Sequence, residues 1–223
     1  MTAHHDGYSI QEGVLAACEI ETLLRAIERQ ALPHSRAGAR HVLGSPPIRE
    51  LAHDVRLTSI ASTWLGAPAL PFKATLFSKT QEANWLVAWH QDTALPLAAR
   101  VPRAGWGPWS EKYGVTYAHA PASALSRVVA LRIHLDDSDS DNGPLRVLPG
   151  THALGVLTDA EIHERATCIA PRDCCTPAGG IVAMAPLIIH ASSKCIATRL
   201  RRVLHLEYAT SLEIAPGMHL KAA

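Results

Sequence analysis

From residue 70 onward the chain consists of short apolar runs, many of them rich in β-branched residues, separated by turn sequences. The runs cover residues 72–78, 85–92, 128–136, 145–148, 180–189 and 203–208. Asn-Gly, Pro-Gly and Gly-Gly pairs lie next to several of them, and such pairs are typical of tight turns. The pattern predicts an antiparallel β-sandwich or jelly roll rather than alternating βα units.

Two helical segments precede the strands. Ser9 and Glu12 have the spacing of a capping box, and the apolar periodicity behind them predicts a helix over 9–30. A second helix is predicted over 46–65, because prolines occupy its first turn and a glycine follows directly after it. The fold class is therefore mainly β with N-terminal helices.

Length and composition limit the kind of protein. A chain of 223 residues that is 48% hydrophobic is expected to form one domain over 1–223, with a helical part at about 9–65 and a β core at about 70–209. A net charge of +1 argues against nucleic-acid and membrane-surface partners. The start lacks a signal peptide, and the five cysteines are an odd number without a C-x-x-C pair. We therefore expect reduced thiols and a cytoplasmic protein, with the oligomeric state left open.

Residues 94–124 interrupt the strand pattern. They contain four prolines, three glycines and four Trp or Tyr residues, without clear periodicity. Long loops inside compact domains are often lids or binding loops, so we expect a lid loop here. Within it, His119 and Trp106 are candidate substrate contacts.

Histidine is the commonest metal ligand and can transfer protons near neutral pH, and the chain contains thirteen histidines. Four of them begin an H-x-[DE] sequence, so this pattern alone is weak evidence for a metal site. His90 and Asp92 end a predicted strand, where residues i and i+2 project from the same face. With one distant histidine they would form a 2-His-1-carboxylate site for Fe(II). His134 and Asp136 are the main competitor, and we interpret the acidic run after them as a solvated turn because its spacing does not fit a calcium loop.

Three stretches resemble the phytanoyl-CoA dioxygenase (PhyH) family of Fe(II)/2-oxoglutarate oxygenases, particularly its small bacterial members. They are FKATLFSKTQEANWLVAWHQD (72–92), LRIHLDDSDSDNGPLRVLPGTH (131–152) and IIHASSKCIATRLRRVLHLEYA (188–209), and they occur in the family's order. The resemblance implies a double-stranded β-helix, which is a jelly-roll or cupin-like fold.

The resemblance also implies the metal ligands. His90 and Asp92 match the family's proximal pair, and His190 matches the distal ligand. The distal segment reads H-A-S-S where many relatives have H-G-S, which is a small change. An aspartate at position 92 favours hydroxylation, since related halogenases have a small residue there.

The same resemblance implies a 2-oxoglutarate site. Arg201 matches the arginine that binds the far carboxylate of 2-oxoglutarate, with the neighbouring Arg202 as the alternative register. Ser192 matches a hydroxyl group that helps to bind that carboxylate. Lys73 and Thr93 are further candidates for this pocket. A guanidinium group suits the task because it binds a carboxylate through two parallel hydrogen bonds.

The resemblance therefore implies an enzyme with Fe(II) as cofactor and 2-oxoglutarate and O2 as cosubstrates. It would oxidise an unactivated C–H bond of a small molecule, such as a secondary-metabolite intermediate, and release succinate and CO2. Two other classes stay open. One is a cupin-like metal-dependent hydrolase or isomerase, and the other is a non-catalytic jelly-roll binding protein.

Overall fold

The computed structural model describes residues 5–30, 32, 38–79, 84, 86–196 and 199–223, and the backbone of 34–35. The expected strand start at Trp85 lies outside the described residues. The α-helices in this part of the chain are α1 (Ala17–Glu28), α2 (Pro46–Ala52), α3 (Val55–Leu65), α4 (Ala122–Leu125) and α5 (Asp159–Cys168). A short 3-10 helix spans Thr151–Leu154.

In the described residues, strands occur from near the start of the chain to near its end, with the helices between them. They are β1 (Tyr8–Gln11), β2 (His34–Ser35), β3 (Gly38–Arg40), β4 (Leu70–Lys79), β5 (Val87–His90), β6 (Ala94–Leu97), β7 (Trp109–Lys112), β8 (Val115–His119), β9 (Val128–His134), β10 (Leu145–Val147), β11 (Arg172–Cys174), β12 (Ile181–Met184), β13 (His190–Ser192), β14 (Arg201–Ala209), β15 (Glu213–Ala215) and β16 (Met218–His219).

Two antiparallel sheets face each other. The major sheet has the strand order β1-β12-β9-β14-β4-β3-β2, and the minor sheet has the order β11-β10-β13-β5. Strands that are neighbours in the sheets are far apart in the chain, as in the pairing of β14 with β4 and β9. This architecture is a double-stranded β-helix, so the predicted fold class is confirmed.

The two faces of the major sheet have different roles. In β9, Val129, Leu131 and Ile133 belong to the large apolar cluster that also includes buried residues of α1, α2 and α3. Because side chains alternate along a strand, Arg132 and His134 project from the opposite face, toward the minor sheet. The helices thus cover one face of the major sheet, and the other face lines the interior, where a site can be built.

The first predicted helix begins later than expected. Residues 8–11 form β1, the edge strand that pairs with β12, and α1 starts only at Ala17. The N-terminus of α1 is capped by Glu19, which accepts a hydrogen bond from the backbone amide of Ala16. Pairing with a neighbouring strand has therefore overridden the local helix signal of Ser9 and Glu12.

The second predicted helix is divided in two. The backbone leaves the helix at His53, and Asp54 starts α3 by accepting a hydrogen bond from the amide of Arg56. Gly66 ends α3 in the left-handed conformation, as the sequence predicted. Asp54 is a good N-cap residue, so the division has a local cause.

The expected long loop is largely regular structure. Within 94–124, β6, β7 and β8 form a three-stranded antiparallel sheet, followed by α4. Leu95, Ala118 and Trp106 belong to an apolar cluster that also contains Phe72 of β4 and Ala209 of β14. The interpretation of 94–124 as an irregular loop was wrong.

Among the described residues, no helix is both long and apolar enough to cross a membrane.

Candidate active site

His90 and His190 are direct partners across the β5–β13 pair of the minor sheet. Their ring centroids lie 4.2 Å apart. Asp92 follows two residues after His90, and its carboxylate oxygens lie 3.7 Å from Nε2 of His90 and 3.5 Å from Nε2 of His190. One ligand atom from each of the three residues lies within 4.8 Å of the others, so the structure brings together the three predicted metal ligands.

Backbone carbonyl groups fix the orientation of both imidazoles. Nδ1 of His90 donates to the carbonyl of Ala88 (2.8 Å), and Nδ1 of His190 donates to the carbonyl of Ile188 (2.9 Å). In the neutral form of each ring, Nε2 is then the nitrogen without a proton, and it faces Asp92. Such contacts select the tautomer that can bind a metal ion.

Gln91 anchors the segment between the two proximal ligands. Its amide nitrogen donates to the carbonyl groups of Leu187 (2.7 Å) and Gly155 (2.9 Å), and its amide oxygen accepts from the backbone of Leu157. The amide of Asp92 donates to the carbonyl of Pro186 (2.9 Å). These contacts keep Asp92 beside the histidines after β5 has ended. The sequence analysis did not identify Gln91.

The surroundings of the cluster favour a bound cation. Burial lowers the pKa of His190 to about 4, so the ring is neutral near pH 7. Burial raises the pKa of Asp92, but His190, His205 and His90 outweigh this effect and hold it below its usual value. Metal ligation requires neutral imidazole and ionised carboxylate groups, and these are the states of His190 and Asp92.

Arg201 lies at the other end of the same cavity, which has a volume of 570 Å³. It is 4% exposed, and its Nη2 lies 3.4 Å from the hydroxyl oxygen of Ser192. Its Nε and Nη1 have no hydrogen-bond partner among the described residues. Buried guanidinium donors without a partner are costly, so this end of the cavity is suited to an anion.

Lys79 is a further cationic side chain at this anion-binding end. Lys79 donates to the Ser192 hydroxyl (3.0 Å), which in turn donates to the carbonyl of Gly143 (2.8 Å). Burial and the nearby Arg201 lower the pKa of Lys79 to about 8. Burial together with Arg132 lowers the pKa of Arg201 to about 10. The crowding of positive charge is what an anionic ligand would relieve. Lys79 was not identified from the sequence.

The two candidate arginines point in opposite directions. Arg202 lies on the outer face of β14, where its Nε and Nη2 make hydrogen bonds of 2.9 and 2.8 Å to the carboxylate of Asp136. It also contacts Glu28 of α1 at 3.4 Å. Arg201 is the arginine that lines the cavity.

A row of hydrogen-bonded polar side chains crosses the inner face of the major sheet, between the two ends of the cavity. Nη1 of Arg132 donates to Nδ1 of His205 (3.2 Å), and Nε2 of His205 donates to Glu207 (3.2 Å). Glu207 pairs with Lys73 at 2.7 Å, which raises the pKa of Lys73 despite its burial. Arg132 was missed, although a charged residue inside the apolar run VVALRIH was a visible signal.

The other predicted residues divide into two groups. Thr93 and His119 line a second cavity and are joined by a hydrogen bond of 2.7 Å between the Thr93 hydroxyl and Nδ1 of His119. Trp106 lies in the apolar cluster that the three-stranded sheet shares with β4 and β14, and it lines neither cavity. His134 is fully buried and is not part of the ligand cluster.

The donor set fits an iron centre with a dicarboxylate cosubstrate. Two neutral imidazoles and a carboxylate form the facial arrangement that leaves coordination positions open. Nε and Nη1 of Arg201, which have no partner in the described part of the chain, supply the matching site for a distant carboxylate. Fold and site together define the class of non-haem proteins with a 2-His-1-carboxylate metal centre.

The chain belongs to the phytanoyl-CoA dioxygenase (PhyH) family, whose model matches residues 3–203. The resemblance seen in the sequence is therefore confirmed.

Individual relatives have low sequence identity to the chain. The chain is similar to L-proline trans-4-hydroxylase of Streptomyces griseoviridis, with 27% identity over 180 residues. This match covers 68% of the chain but 59% of the hydroxylase, so the chain spans less than two-thirds of that relative. Among solved structures it is similar to AviO1 from Streptomyces viridochromogenes Tue57, with a TM-score of 0.67, 23% identity and coverage of 92% and 90% of the two chains. It is also similar to EctD from S. alaskensis, solved with 2-oxoglutarate and 5-hydroxyectoine, with a TM-score of 0.69, 19% identity and coverage of 92% and 72%.

Proposed function

We propose that the protein is an Fe(II)- and 2-oxoglutarate-dependent dioxygenase that hydroxylates or otherwise oxidises an unactivated C–H bond of a small molecule. One observation carries this proposal. The cluster of His90, Asp92 and His190 lines the same cavity as Arg201, whose Nε and Nη1 have no partner among the described residues, so the site offers a metal centre and a carboxylate site together. Membership of the PhyH family supports the same activity.

Each residue has a definable task in this proposal. His90 and His190 present Nε2 to the metal ion because their Nδ1 atoms are held by backbone carbonyls. Asp92 supplies the anionic ligand. Arg201 and Ser192 bind the far carboxylate of 2-oxoglutarate, and Lys79 adds a third donor beside them.

Iron and 2-oxoglutarate, when bound, would supply oxygen activation coupled to the release of succinate and CO2. The contribution of this chain is orientation and a partly enclosed pocket. The segment 94–124 helps to enclose the pocket. Its residues Lys112, Tyr117 and His119, and the adjacent Thr93, line the cavity wall. We propose that this segment covers the substrate.

The substrate would be a small molecule, and a secondary-metabolite intermediate is the proposed kind. The sequence similarity to a hydroxylase of a free amino acid supports a small substrate. We also propose a reducing, cytoplasmic setting, which the free state of Cys18, Cys168, Cys174, Cys175 and Cys195 supports.

The test is the optical spectrum of the anaerobic protein with Fe(II) and 2-oxoglutarate. We expect a weak visible charge-transfer band and, after oxygen is admitted, succinate. The variant His90→Ala should lose both. The matched control is His163→Ala, since His163 is exposed on α5 and lies outside the ligand cluster. If His90→Ala keeps the band and the succinate, or if the unaltered protein gives neither, the proposal is wrong.

A further inference from the structure

The second cavity adjoins the proposed metal site on the side away from Arg201. It has a volume of 220 Å³ and shares Arg40, Lys73, Asp92, His205 and Glu207 with the larger cavity. The two cavities are therefore two ends of one chamber, with Asp92 in the wall of both. We call them the arginine end, which contains Arg201, and the tyrosine end, which contains Tyr117.

Three cationic side chains surround Tyr117 at the tyrosine end. Nζ of Lys112 lies 5.1 Å and Nζ of Lys73 lies 5.8 Å from the centroid of the Tyr117 ring. Arg40 also lines this end and belongs to β3, next to β4. The Tyr117 hydroxyl is held by Nε2 of His41 at 2.7 Å. The tyrosine end therefore has a fixed aromatic wall with positive charge beside it.

These three cations are not equally neutralised. Lys73 has Glu207 as an ion-pair partner at 2.7 Å. For Arg40 and Lys112, no ion pair with a carboxylate is found among the residues that the structure describes. Burial lowers the pKa of Lys112, as does repulsion from Arg40 and Lys73, and Asp92 acts in the opposite direction. A negative group placed between Arg40 and Lys112 would relieve that repulsion.

The charge of the whole chamber leads to the same conclusion. Its described lining contains six cationic side chains and two carboxylates: Arg40, Lys73, Lys79, Lys112, Arg132 and Arg201 against Asp92 and Glu207. An Fe(II) ion and the 2-oxoglutarate dianion carry opposite charges of equal size, so binding both leaves the positive surplus as it was. Partly enclosed surfaces with surplus charge attract ligands of the opposite sign.

We propose that the substrate is a small anion whose carboxylate or phosphate group is bound by Arg40 and Lys112 at the tyrosine end of the chamber. This inference rests on the proposed function and names the substrate class for it. An anion held there has the remainder of the molecule directed past Asp92, toward the metal ligands. The size of the tyrosine end is below the roughly 300–1,000 Å³ typical of drug-sized ligands, which favours a compact substrate.

The test uses the anaerobic protein loaded with Fe(II) and saturating 2-oxoglutarate, so that the arginine end is filled. Two matched panels are titrated by calorimetry: short carboxylic acids with their primary amides, and phosphate monoesters with their parent alcohols. Arg40→Gln/Lys112→Gln is compared with Arg29→Gln/Arg49→Gln. The second pair removes the same two positive charges from exposed positions outside the chamber.

We expect at least one acid or phosphate ester to bind about tenfold or more tightly than its neutral partner. The preference should disappear in Arg40→Gln/Lys112→Gln and remain in the control, and the panel that shows it identifies carboxylate or phosphate as the group recognised. The inference is overturned if neutral partners bind equally well, if the preference survives in Arg40→Gln/Lys112→Gln, or if no anion binds at about 10 mM.

The visible band separates the two possible failures. A band in the unaltered protein without any anion preference overturns the substrate class and leaves the proposed function in place. Absence of the band in the unaltered protein counts against the proposed function itself.

Discussion

His90 and His190 face each other across paired strands, and each ring is held by the carbonyl two residues before it in the chain. The β5–β13 pairing thus sets the separation of the two rings, and backbone hydrogen bonds set their rotation. The ligand geometry is a property of the sheet rather than of a flexible loop. Sites on rigid strands lose little entropy on binding a metal ion, which favours a preformed centre.

Gln91 is predicted to tune metal affinity without touching the metal ion. In Gln91→Leu, the carbonyls of Leu187 and Gly155 and the amide of Leu157 would lose their partner. We expect the Kd for Co(II), measured by calorimetry, to rise by about 10- to 100-fold, which is typical of residues that orient ligands. Gln11→Leu, on exposed β1, serves as the control and should leave the Kd unchanged. Equal affinities for the two variants would contradict the anchoring role.

Arg201 and Arg202 give a matched pair for the cosubstrate site. Arg201→Gln removes the inward guanidinium, so the KM for 2-oxoglutarate should rise by about 10- to 100-fold, equivalent to about 1.5–3 kcal/mol. Arg202→Gln removes the contact with Asp136 and should lower stability modestly while leaving that KM within about twofold. Succinate formation at varied 2-oxoglutarate measures both. A larger KM effect for Arg202→Gln would reverse the assignment.

Gly143 is predicted to be essential for the position of Ser192. It has φ of +67°, and a Cβ at this position would lie 2.4 Å from the carbonyl oxygen of Ser193. Gly150 also has positive φ, at +79°, but a Cβ there meets nothing within 4 Å. Gly150→Ala should therefore cost about 1–2 kcal/mol of backbone strain alone. Gly143→Ala should lower the free energy of unfolding, measured in urea, by more than Gly150→Ala does. It should also raise the KM for 2-oxoglutarate. Equal losses of stability in the two variants would show that the close contact between a Cβ at position 143 and the Ser193 carbonyl is unimportant.

The cysteines provide a test of burial. Cys174 is buried, and burial raises its pKa to about 12, whereas Cys18, Cys168 and Cys175 are exposed. Because the thiolate is the reactive form, iodoacetamide at pH 8 should label the exposed cysteines of the native protein and spare Cys174. Peptide mass spectrometry reads the outcome, with urea-unfolded protein as the control in which Cys174 is labelled. Rapid labelling of native Cys174 would contradict the packing of β11.

The sequence predicted most core strands, the fold class and the pair His90 and Asp92 from local patterns, whereas His190 was assigned through the resemblance to the PhyH family. An H-x-D at the end of an apolar run needs no knowledge of the partner strand. By contrast, Arg40, Lys112 and Arg132 come from three separate strands, and only the fold shows that they line one chamber. Nothing in the sequence near Arg40 or Lys112 distinguishes them from ordinary surface charges.

Two of the errors in secondary structure share one physical cause. Residues 8–11 have a helical capping pattern, but the edge of β12 offers them backbone hydrogen bonds over their whole length. Residues 94–124 lack periodicity, yet β6 and β7 each pair with β8. In both cases strand pairing within the folded chain decided the outcome, and single-sequence propensity contains no information about such partners.

His134 is predicted to make stability depend on pH. It is fully buried, and neither ring nitrogen has a partner among the described residues. Burial, with Arg132 and Arg201 nearby, lowers its pKa from 6.5 to about 3. The unfolded chain therefore takes up a proton at a higher pH than the folded protein, so stability falls as the pH drops below 6.5. Between pH 7.5 and 5, this group alone should remove about 2 kcal/mol. His134→Leu should abolish that loss while keeping the metal affinity, and urea unfolding at both pH values measures it. A variant that loses as much stability as the unaltered protein would show that His134 does not titrate in this way.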